Sequence, residues 1–300
     1  MDAIHVFIDG GEGTTGLQIV ERLEILPWVR LLPIGPALRK DKEERRRCIN
    51  AADAVFLCLP DAAARESVSL CDNPGTVIID ASTAHRTHPD WAYGLPELSP
   101  KHRRRIETGS RIAVPGCHAS GFCSIVYPLR QAGLIGRESR LSCFSLTGYS
   151  GGGKSMIAEF EGENPPRGGL PYALGLNHKH LPEMAAVCGL DTPPIFQPTL
   201  VPVRQGMLVS APLILNAEKV WRALDKWYGQ NSGQVTVKPL NATDKLENGR
   251  LNMEACNGTD EMEIFVFGDE KQALVFARFD NLGKGASGAA VECLRIRFGM

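Results

Sequence analysis

The sequence predicts an α/β fold in which a doubly wound parallel sheet is joined to an α+β domain with a largely antiparallel sheet. Strand-like and helix-like runs alternate through the first third of the chain, a glycine-rich turn follows the first strand, and long strand-like runs dominate beyond Gln197. Repeated strand–helix–strand units are typical of a parallel sheet, because each crossover helix returns the chain to the same end of the sheet.

The first part of the chain carries the alternating pattern. The run 54–59 is fully apolar, which is typical of a parallel strand buried on both faces. Asp61 is expected to cap the helix that follows. The basic run 101–105 is expected to form a solvated surface turn. The predicted strands are 3–8, 29–34, 54–59 and 76–79, and the predicted helices are 14–26, 41–51 and 61–70.

The later part of the chain has a different character. A helix over 286–297 is expected to return to the first domain. The predicted division is therefore 1–116 with 283–300 as one domain, and 117–282 as a second domain that holds the substrate. The long predicted strands of the second domain are 199–203, 207–214, 263–268 and 273–279.

Composition narrows the classes of partner. Lys and Arg total 33 and Asp and Glu total 34, so a formal net charge of -1 gives no general attraction to nucleic acid or to an anionic membrane. No run of about 18 apolar residues and no signal-like start is seen, so we expect a cytoplasmic protein without a membrane span. The nine cysteines show no Cys-x-x-Cys pair and no metal-ligand spacing. That usage fits a reducing compartment and predicts no metal site.

The first motif is DGGEGTTG at 9–16, between a strand and a helix. Gly11, Gly13 and Gly16 fit G-x-G-x-x-G, and Gly10 with Gly13 and Gly16 fits G-x-x-G-x-x-G. Glycines let the backbone approach a pyrophosphate, and the helix start offers free N–H groups. The context favours a Rossmann-type dinucleotide site over an ordinary tight turn.

The end of the second strand indicates which dinucleotide binds. A site for NAD usually has an acidic residue there, to hold the ribose 2′-hydroxyl. Here Arg39 and Lys40 come before the first acidic residue, Asp41. This favours NADP(H), whose 2′-phosphate needs positive charge, although both cations would also suit a solvated loop.

The second motif is VPGCHASG at 114–121, in which a strand-like run leads to Cys117 and a helix follows. A cysteine at a helix start has its thiolate stabilised by the dipole and by free N–H groups. Cys58 and Cys143 lie in strand-like runs and are expected to be core residues. Cys117 is therefore the candidate nucleophile.

The third motif is GLNHKHLPEM at 175–184. His178 and His180 could form a surface pair or ligate a metal, but no third ligand at suitable spacing presents itself. A nucleophilic cysteine needs a base, and histidine is the commonest. We expect His180 to be that base, because Pro182 at the helix start constrains its backbone and Glu183 is near enough to orient it.

The fourth motif is GYSGGGKS at 148–155, which matches a P-loop after a strand-like run. It would indicate an NTPase. Against that, no apolar strand ending in Asp follows to act with it, and the dinucleotide and cysteine motifs would be unexplained. A glycine nest with Lys154 can equally hold a substrate phosphate.

Eight segments spread over nearly the whole chain carry a resemblance to one family. They are FIDGGEGTTGL at 7–17, VFLCLPDAAA at 55–64, DASTAHR at 80–86, YGLPEL at 93–98, VPGCHASGF at 114–122, GYSGGGKS at 148–155, NHKHLPEM at 177–184 and DNLGKGASG at 280–288. In this order they resemble the short-form N-acetyl-γ-glutamyl-phosphate reductases of arginine biosynthesis.

The resemblance implies an NADPH-dependent reduction of an acyl phosphate to a semialdehyde through a thioester on Cys117, with release of phosphate. It also implies a histidine base in the HKH segment, 281–286 near the nicotinamide, and a homo-oligomer, either a dimer or a tetramer. The closest alternative is a related reductase such as aspartate-semialdehyde dehydrogenase. Alternatives of other classes are the P-loop NTPase and a non-catalytic NADP sensor.

Two positions depart from the family. The residue after the cysteine is often Tyr and here is His118, and the arginine expected directly before Gly206 is replaced by Gln205, with Arg204 shifted by one. The candidate cofactor contacts are Gly10, Gly11, Gly13, Thr14, Thr15, Gly16, Arg39, Pro60, Ser82, Asn281 and Lys284. The candidate substrate contacts are Ser150, Gly151, Lys154 and Arg204.

Overall fold

The computed structural model describes residues 3–230 and 233–300. They form two compact units. The first contains the described residues up to Pro96, with Lys101–Pro115 and Ala286–Met300, and the second contains Glu97–Pro100 and Gly116–Gly285. The division predicted from sequence lies within three residues of these bounds and places Glu97–Pro100 with the first domain.

The strands form two sheets. The first sheet contains β1 Ile4–Asp9, β2 Val29–Leu32, β3 Ala54–Leu57, β4 Val77–Asp80, β5 Ala92–Tyr93 and β6 Arg111–Ala113. The second contains β7 Ser142–Gly148, β8 Leu170–Pro171, β9 Ile195–Val201, β10 Met207–Leu213, β11 Val235–Val237, β12 Met262–Gly268 and β13 Ala273–Phe279.

Helices cover both units. They are α1 Thr14–Glu24, α2 Lys42–Ala51, α3 Asp61–Ser69, α4 Pro100–Thr108, α5 Cys117–Gln131, α6 Gly153–Phe160, α7 Leu181–Cys188, α8 Ala217–Gln230 and α9 Gly288–Phe298. A π-helical turn at Gly283–Ser287 comes directly before α9. None of the helices in the described part of the chain has both the length and the apolar character that crossing a bilayer requires.

The first sheet is parallel throughout, with the order β2-β1-β3-β4-β6-β5. Successive residues of each central strand face opposite layers. Phe56 packs with Ile19 of α1 and Leu294 of α9, and Val55 packs with Ile49 of α2 on the other face. The doubly wound prediction is confirmed. The strand order reverses beside β1, which is where such sheets bind ligands.

The second sheet has the order β11-β12-β13-β10-β7-β9-β8. Four of its strand pairs are antiparallel, while β11 with β12 and β7 with β9 run parallel. Helix α5 lies close against this sheet, because a Cβ on Gly121 would come within 2.6 Å of Val209. The strand pairs confirm the predicted antiparallel-rich α+β domain. The close approach of Gly121 to Val209 holds the start of α5 in place.

Two local predictions are wrong. Asp61 is the first residue of α3 rather than its cap, since Pro60 is the N-cap and the Asp61 carboxylate instead accepts hydrogen bonds from the backbone and hydroxyl of Thr83. The basic run 101–105 is helical, not a turn. Long basic side chains favour helices, and buried Ile106 anchors α4 on the core.

Candidate active site

The glycine-rich loop after β1 is shaped by steric need. Gly10 has φ +87°, and a Cβ there would lie 2.5 Å from the Cys58 carbonyl oxygen. Helix α1 begins after Gly13 without a side-chain cap. Among the described residues, the buried hydroxyl oxygen of Thr14 has no hydrogen-bond partner. Free N–H groups and this hydroxyl together offer donors for an anion.

A cleft of about 750 Å³ opens beside the loop. Its walls include Gly11 and Gly13 from the loop and Ile34, Arg39 and Lys40 from the segment after β2. The guanidinium of Arg39 forms an ion pair with Glu12 in the loop. The two cations predicted to select NADP thus line the cleft that the glycine loop also lines.

A buried polar network lies at the end of β1, and sequence reasoning missed it. Arg45 is 7% exposed, and its guanidinium donates to Asp9 at 3.0 and 3.2 Å and to the Ser67 hydroxyl at 2.6 Å. These bonds fix the side chain of Asp9, which is the residue directly before Gly10. One signal was available, because Arg45 shares a face of α2 with the buried residues Cys48 and Ile49.

Pro60 and Ser82 follow the carboxyl ends of β3 and β4. The Ser82 hydroxyl donates to Asp80 at 2.8 Å. The same carboxylate lies 2.6 Å from Nδ1 of His85, whose ring stacks on Trp91 with centroids 4.0 Å apart. Ser82 is therefore held by a rigid buried group at the edge of the sheet where a cofactor would bind.

Cys117 is the first residue of α5 and is half-buried. Its helix has Gly116 as N-cap with no side-chain cap, and the Gly116 N–H donates to Oε1 of Glu183 at 2.9 Å. An open helix start favours a thiolate at this position. Burial raises the pKa of Cys58 to about 12 and that of Cys143 further still, so those thiols stay protonated.

The two histidines of the HKH segment lie together. His180 is the N-cap of α7 and is 4% exposed. Its backbone N–H donates to Nδ1 of His178 at 3.1 Å, and the ring centroids are 4.6 Å apart. This bond leaves the ring proton of neutral His178 on Nε2. The Glu183 carboxylate, which we expect to orient His180, also accepts the Gly116 N–H through Oε1 and so ties α7 to the start of α5.

His118 lies beside this pair, with ring centroids 5.3 Å from His178 and 5.5 Å from His180. Its Nε2 is 2.8 Å from the Tyr172 hydroxyl and its Nδ1 is 2.8 Å from the Ser145 hydroxyl. Burial, and then the positive charges that His178 and Lys179 carry when they are protonated, hold the pKa of His118 well below its usual range. His118 is therefore neutral.

The predicted substrate residues have different environments. Ser150 is buried and accepts a hydrogen bond from Asn281 at 3.0 Å, and Asn281 in turn accepts from the Gly206 N–H at 2.9 Å. Gly151 and Lys154 are exposed. Arg204 forms an ion pair with Glu161 at 2.5 Å. The structure thus brings Ser150 together with Asn281, while Lys154 remains at the surface.

Lys284 lies in the π-helical turn that comes before α9. It is fully buried, and its ammonium lies 2.5 Å from Glu97 and 3.2 Å from Gln234. Burial raises the pKa of Glu97, but the charge and hydrogen bond of Lys284 outweigh it and bring that pKa below its usual value. An ammonium engaged in this way anchors the π-helical turn, and the expected contact of Lys284 with the cofactor stays a prediction. The next residue, Gly285, passes Cys117 so closely that an added Cβ would lie 3.0 Å from the Cys117 Cβ.

Within the described residues, no group of three or more potential ligands could hold a metal ion.

Comparison with known proteins gives two matching family models. Residues 5–106 match the NAD-binding domain of semialdehyde dehydrogenases, and 117–281 match the dimerisation domain of the same enzymes.

Two relatives that match over nearly their whole length are named N-acetyl-gamma-glutamyl-phosphate reductases. The chain is 41% identical to "N-acetyl-gamma-glutamyl-phosphate reductase 2" of Nostoc sp. (strain PCC 7120), covering 100% of this chain and 98% of the relative. It is 43% identical to N-acetyl-gamma-glutamyl-phosphate reductase of Burkholderia cenocepacia, covering 98% of this chain and 97% of the relative.

Solved structures share the fold. Aspartate semialdehyde dehydrogenase II from Vibrio cholerae superposes with a TM-score of 0.72 at 17% identity, over 99% of each chain. A probable aspartate-semialdehyde dehydrogenase from Pseudomonas aeruginosa gives a TM-score of 0.70, also at 17% identity, over 100% of each chain. At this identity the likeness concerns the fold alone.

Proposed function

Because the chain belongs to the N-acetyl-γ-glutamyl-phosphate reductase family, we propose that it reduces N-acetyl-γ-glutamyl phosphate to N-acetylglutamate 5-semialdehyde with release of phosphate, a step of arginine biosynthesis. The observation that carries this proposal is Cys117 at the open start of α5, with its helix start tied to α7, the helix that His180 caps.

The chain's part in the reaction begins with Cys117. Its thiolate attacks the acyl carbon, a C–S bond forms, and the bond to the phosphate oxygen breaks, so that phosphate leaves. When bound, NADPH supplies the hydride that reduces the resulting thioester. The backbone N–H of Cys117, at the start of α5, stabilises the negative oxygen that forms at each addition. Collapse of the thiohemiacetal breaks the C–S bond, releases the aldehyde and returns the thiolate.

His180 is the acid–base group in this scheme. It protonates the thiohemiacetal oxygen as it forms and removes that proton when the aldehyde leaves. Its near-complete burial at the helix cap supports this role, because a proton-transfer group must be held in place. His178 is a candidate for substrate binding, since its Nδ1 is occupied by the His180 N–H and its Nε2 carries a proton to donate.

The cofactor we propose is NADP(H), over the glycine loop. The loop fits a pyrophosphate, since Gly10 leaves the backbone open and the Thr14 hydroxyl has no partner among the described residues. Arg39 and Lys40 in the same cleft suit a 2′-phosphate. Gly11, Gly13, Thr15, Gly16, Pro60 and Ser82 complete the proposed contacts, and Asn281 remains a proposed contact near the nicotinamide.

The substrate carries a phosphate and a carboxylate, so cations must meet it. We assign this role to Lys154 and Arg204, with Ser150 and Gly151 beside them. Arg204 would exchange its exposed ion pair with Glu161 for the substrate anion. Exposed ion pairs are weak, on the order of 0–1 kcal/mol, so this exchange costs little.

A homo-oligomer, dimer or tetramer, is part of the proposal. Along β7 the side chains alternate, with Cys143 and Ser145 buried and Phe144 and Leu146 exposed by 43% and 38%. Leu274 of β13 is exposed by 39%. An apolar sheet face of this kind is typical of an interface between subunits. Light scattering of wild type and of Leu146→Lys tests it, and an unchanged mass would remove this surface as the interface.

The reaction is tested in reverse, by phosphate-dependent reduction of NADP. N-acetylglutamate 5-semialdehyde should be oxidised and aspartate semialdehyde should not. The same assay with NAD tests the cofactor. Preference for aspartate semialdehyde would reassign the protein to the alternative reductase, and no activity with either would remove the proposed function.

A further inference from the structure

A buried ion pair lies one residue from the backbone that contacts the nucleophile, and the proposed reaction does not use it. The Lys284 ammonium donates to Oε1 of Glu97 at 2.5 Å and to the side-chain oxygen of Gln234 at 3.2 Å. Lys284 is 0% exposed and Glu97 is 4% exposed. Glu97 comes from the short segment Glu97–Pro100, which belongs to the second unit together with Cys117, Gln234 and Lys284.

The ion pair is built into the π-helical turn Gly283–Ser287. The N–H of Gly285 donates to the Asp280 carbonyl at 3.0 Å, which is the five-residue step of a π turn. A Cβ on Gly285 would lie 3.0 Å from the Cys117 Cβ, so the Gly285 backbone lies against the first carbon of that side chain. The sulfur is therefore excluded from the space that the turn occupies, which limits its rotamers.

Stability alone does not account for this pair. Taking two charges out of water can cost more than their attraction returns, unless further hydrogen bonds satisfy the remaining lone pairs. Oε2 of Glu97 is buried, and among the described residues no hydrogen bond reaches it. Apolar side chains of similar size would often stabilise the fold as well or better. They would lack direction, whereas an ammonium fixes its position through hydrogen bonds of defined length and angle.

The turn itself has little to hold its shape. Two of its five residues are glycine, and Lys284 supplies its one long side chain. We propose that Lys284 and Glu97 are positioning residues for the nucleophile. They hold the turn so that Gly285 packs on Cys117, and this contact sets the direction from which the sulfur attacks. The proposal rests on the proposed role of Cys117.

The first test separates position from stability by replacing both charges with apolar side chains. In Glu97→Met/Lys284→Met the urea midpoint should equal or exceed that of wild type. The kcat should nevertheless fall by roughly tenfold to a hundredfold, because small misplacements of a reacting group cost rate steeply. KM and the affinity for NADPH should stay within about twofold, since the change acts on the reacting atom and not on binding.

Gly285→Ala tests the contact directly and leaves the ion pair in place. The added methyl group must displace the Cys117 Cβ, so kcat should again fall by at least roughly tenfold. Combined with Glu97→Met/Lys284→Met, the fall should be smaller than the product of the two separate falls, because both act through one contact.

A matched control makes the same exchange at another ion pair of the second unit. Arg278 of β13 is 5% exposed and pairs with Glu263 of β12. Glu263→Met/Arg278→Met should leave kcat within about twofold of wild type, because neither residue belongs to the π turn.

Hydrogen–deuterium exchange of the full-length protein gives a second readout that needs no substrate. In Glu97→Met/Lys284→Met, exchange should become about tenfold faster in the peptide that holds residues 281–287 and in the one that holds Cys117. This corresponds to a loss of about 1.4 kcal/mol in the free energy of local opening, the worth of one hydrogen bond. The control variant should change neither peptide.

The proposal is overturned if Glu97→Met/Lys284→Met keeps the kcat of wild type, if it loses NADPH affinity instead, or if exchange is unchanged in both peptides. It is also overturned if Gly285→Ala leaves kcat unchanged, and this variant decides if the double variant does not fold. Failure of the proposed function is distinct, because it is decided by the reductase assay on wild type, whereas exchange is measured without substrate.

Discussion

Two helix starts in this protein share one local design and have different surroundings. α1 and α5 each follow a strand and a turn, and each has a glycine N-cap, Gly13 or Gly116, with extended backbone and no side-chain cap. The start of α1 faces an open cleft. At the start of α5 the Gly116 N–H donates to the Glu183 carboxylate, and the ring of His118 lies near His178, His180 and the Tyr172 hydroxyl. The same kind of uncapped helix start therefore suits a solvated diphosphate in one place and a reactive sulfur in the other.

Replacing the Cys117 sulfur should lower activity more than any other change to these two helix starts. Cys117→Ser is expected to lower kcat by more than roughly 10⁴-fold, beyond the range for losing an acid–base group, because an alcohol at neutral pH is a poor nucleophile. NADPH affinity, measured by fluorescence titration, should stay within about twofold, since that site belongs to the other helix start. Activity near wild type would contradict the covalent route.

Replacing His180 should have the next largest effect on activity. His180→Asn should lower kcat by about 10²–10⁴-fold, the usual effect of losing an acid–base group. The matched variant His178→Asn should act mainly on KM, and steady-state kinetics of both separate the two roles. If the effects were reversed, His178 would be the acid–base group.

The glycines of the first helix start offer a matched pair. A Cβ on Gly16 would lie 2.6 Å from the Gly10 carbonyl oxygen, whereas one on Gly13 meets that oxygen only at 3.7 Å. Gly16→Ala should therefore lower both thermal stability and NADPH affinity, the affinity by at least roughly tenfold, or about 1.4 kcal/mol. Gly13→Ala should keep its stability and lose affinity alone. Unchanged affinity in Gly13→Ala would show that the cofactor does not approach this backbone.

The cations of the cleft should give a smaller effect. Wild type is expected to prefer NADPH over NADH by roughly tenfold in kcat/KM, which corresponds to about 1.4 kcal/mol. Arg39→Ala should remove most of that preference, with NADH kinetics as the internal control. If Arg39→Ala kept the preference for NADPH, residues other than Arg39 would have to bind the 2′-phosphate.

The smallest effect concerns pH and stability. Because burial lowers the pKa of folded His118 below the unfolded value of about 6.5, its neutral form contributes stability above that pH that is lost as the pH falls. Between pH 7 and pH 6 the free energy of unfolding should fall by about 0.7 kcal/mol from this residue alone. Urea titrations at pH 7 and pH 6 give this change in the free energy of unfolding. The change should be larger in wild type than in His118→Gln by that amount. His102, whose pKa burial lowers to about 4, is present in both and cancels.

Local sequence patterns predicted both helix starts. They did not predict the ion pairs between residues that are far apart in the sequence. The parallel sheet followed from apolar runs such as 54–59, and the position of Cys117 from the glycine before it and the helix after it. By contrast, the Arg45–Asp9 pair spans 36 residues and the Lys284–Glu97 pair spans 187. No periodicity links residues at such separations, so the ion pair of Lys284 with Glu97 could not be predicted from the sequence.

The hydrogen bond from Gly116 to Glu183 has a consequence for the growing chain. The two residues are 67 positions apart. At a synthesis rate of roughly 5–20 residues per second, several seconds pass between the appearance of Cys117 and that of Glu183, and Tyr172, His178 and His180 also follow later. During that interval Cys117 is an ordinary thiol without its later partners. A nascent chain stalled before Glu183 should therefore react slowly with an alkylating agent, and one extended past α7 should react quickly.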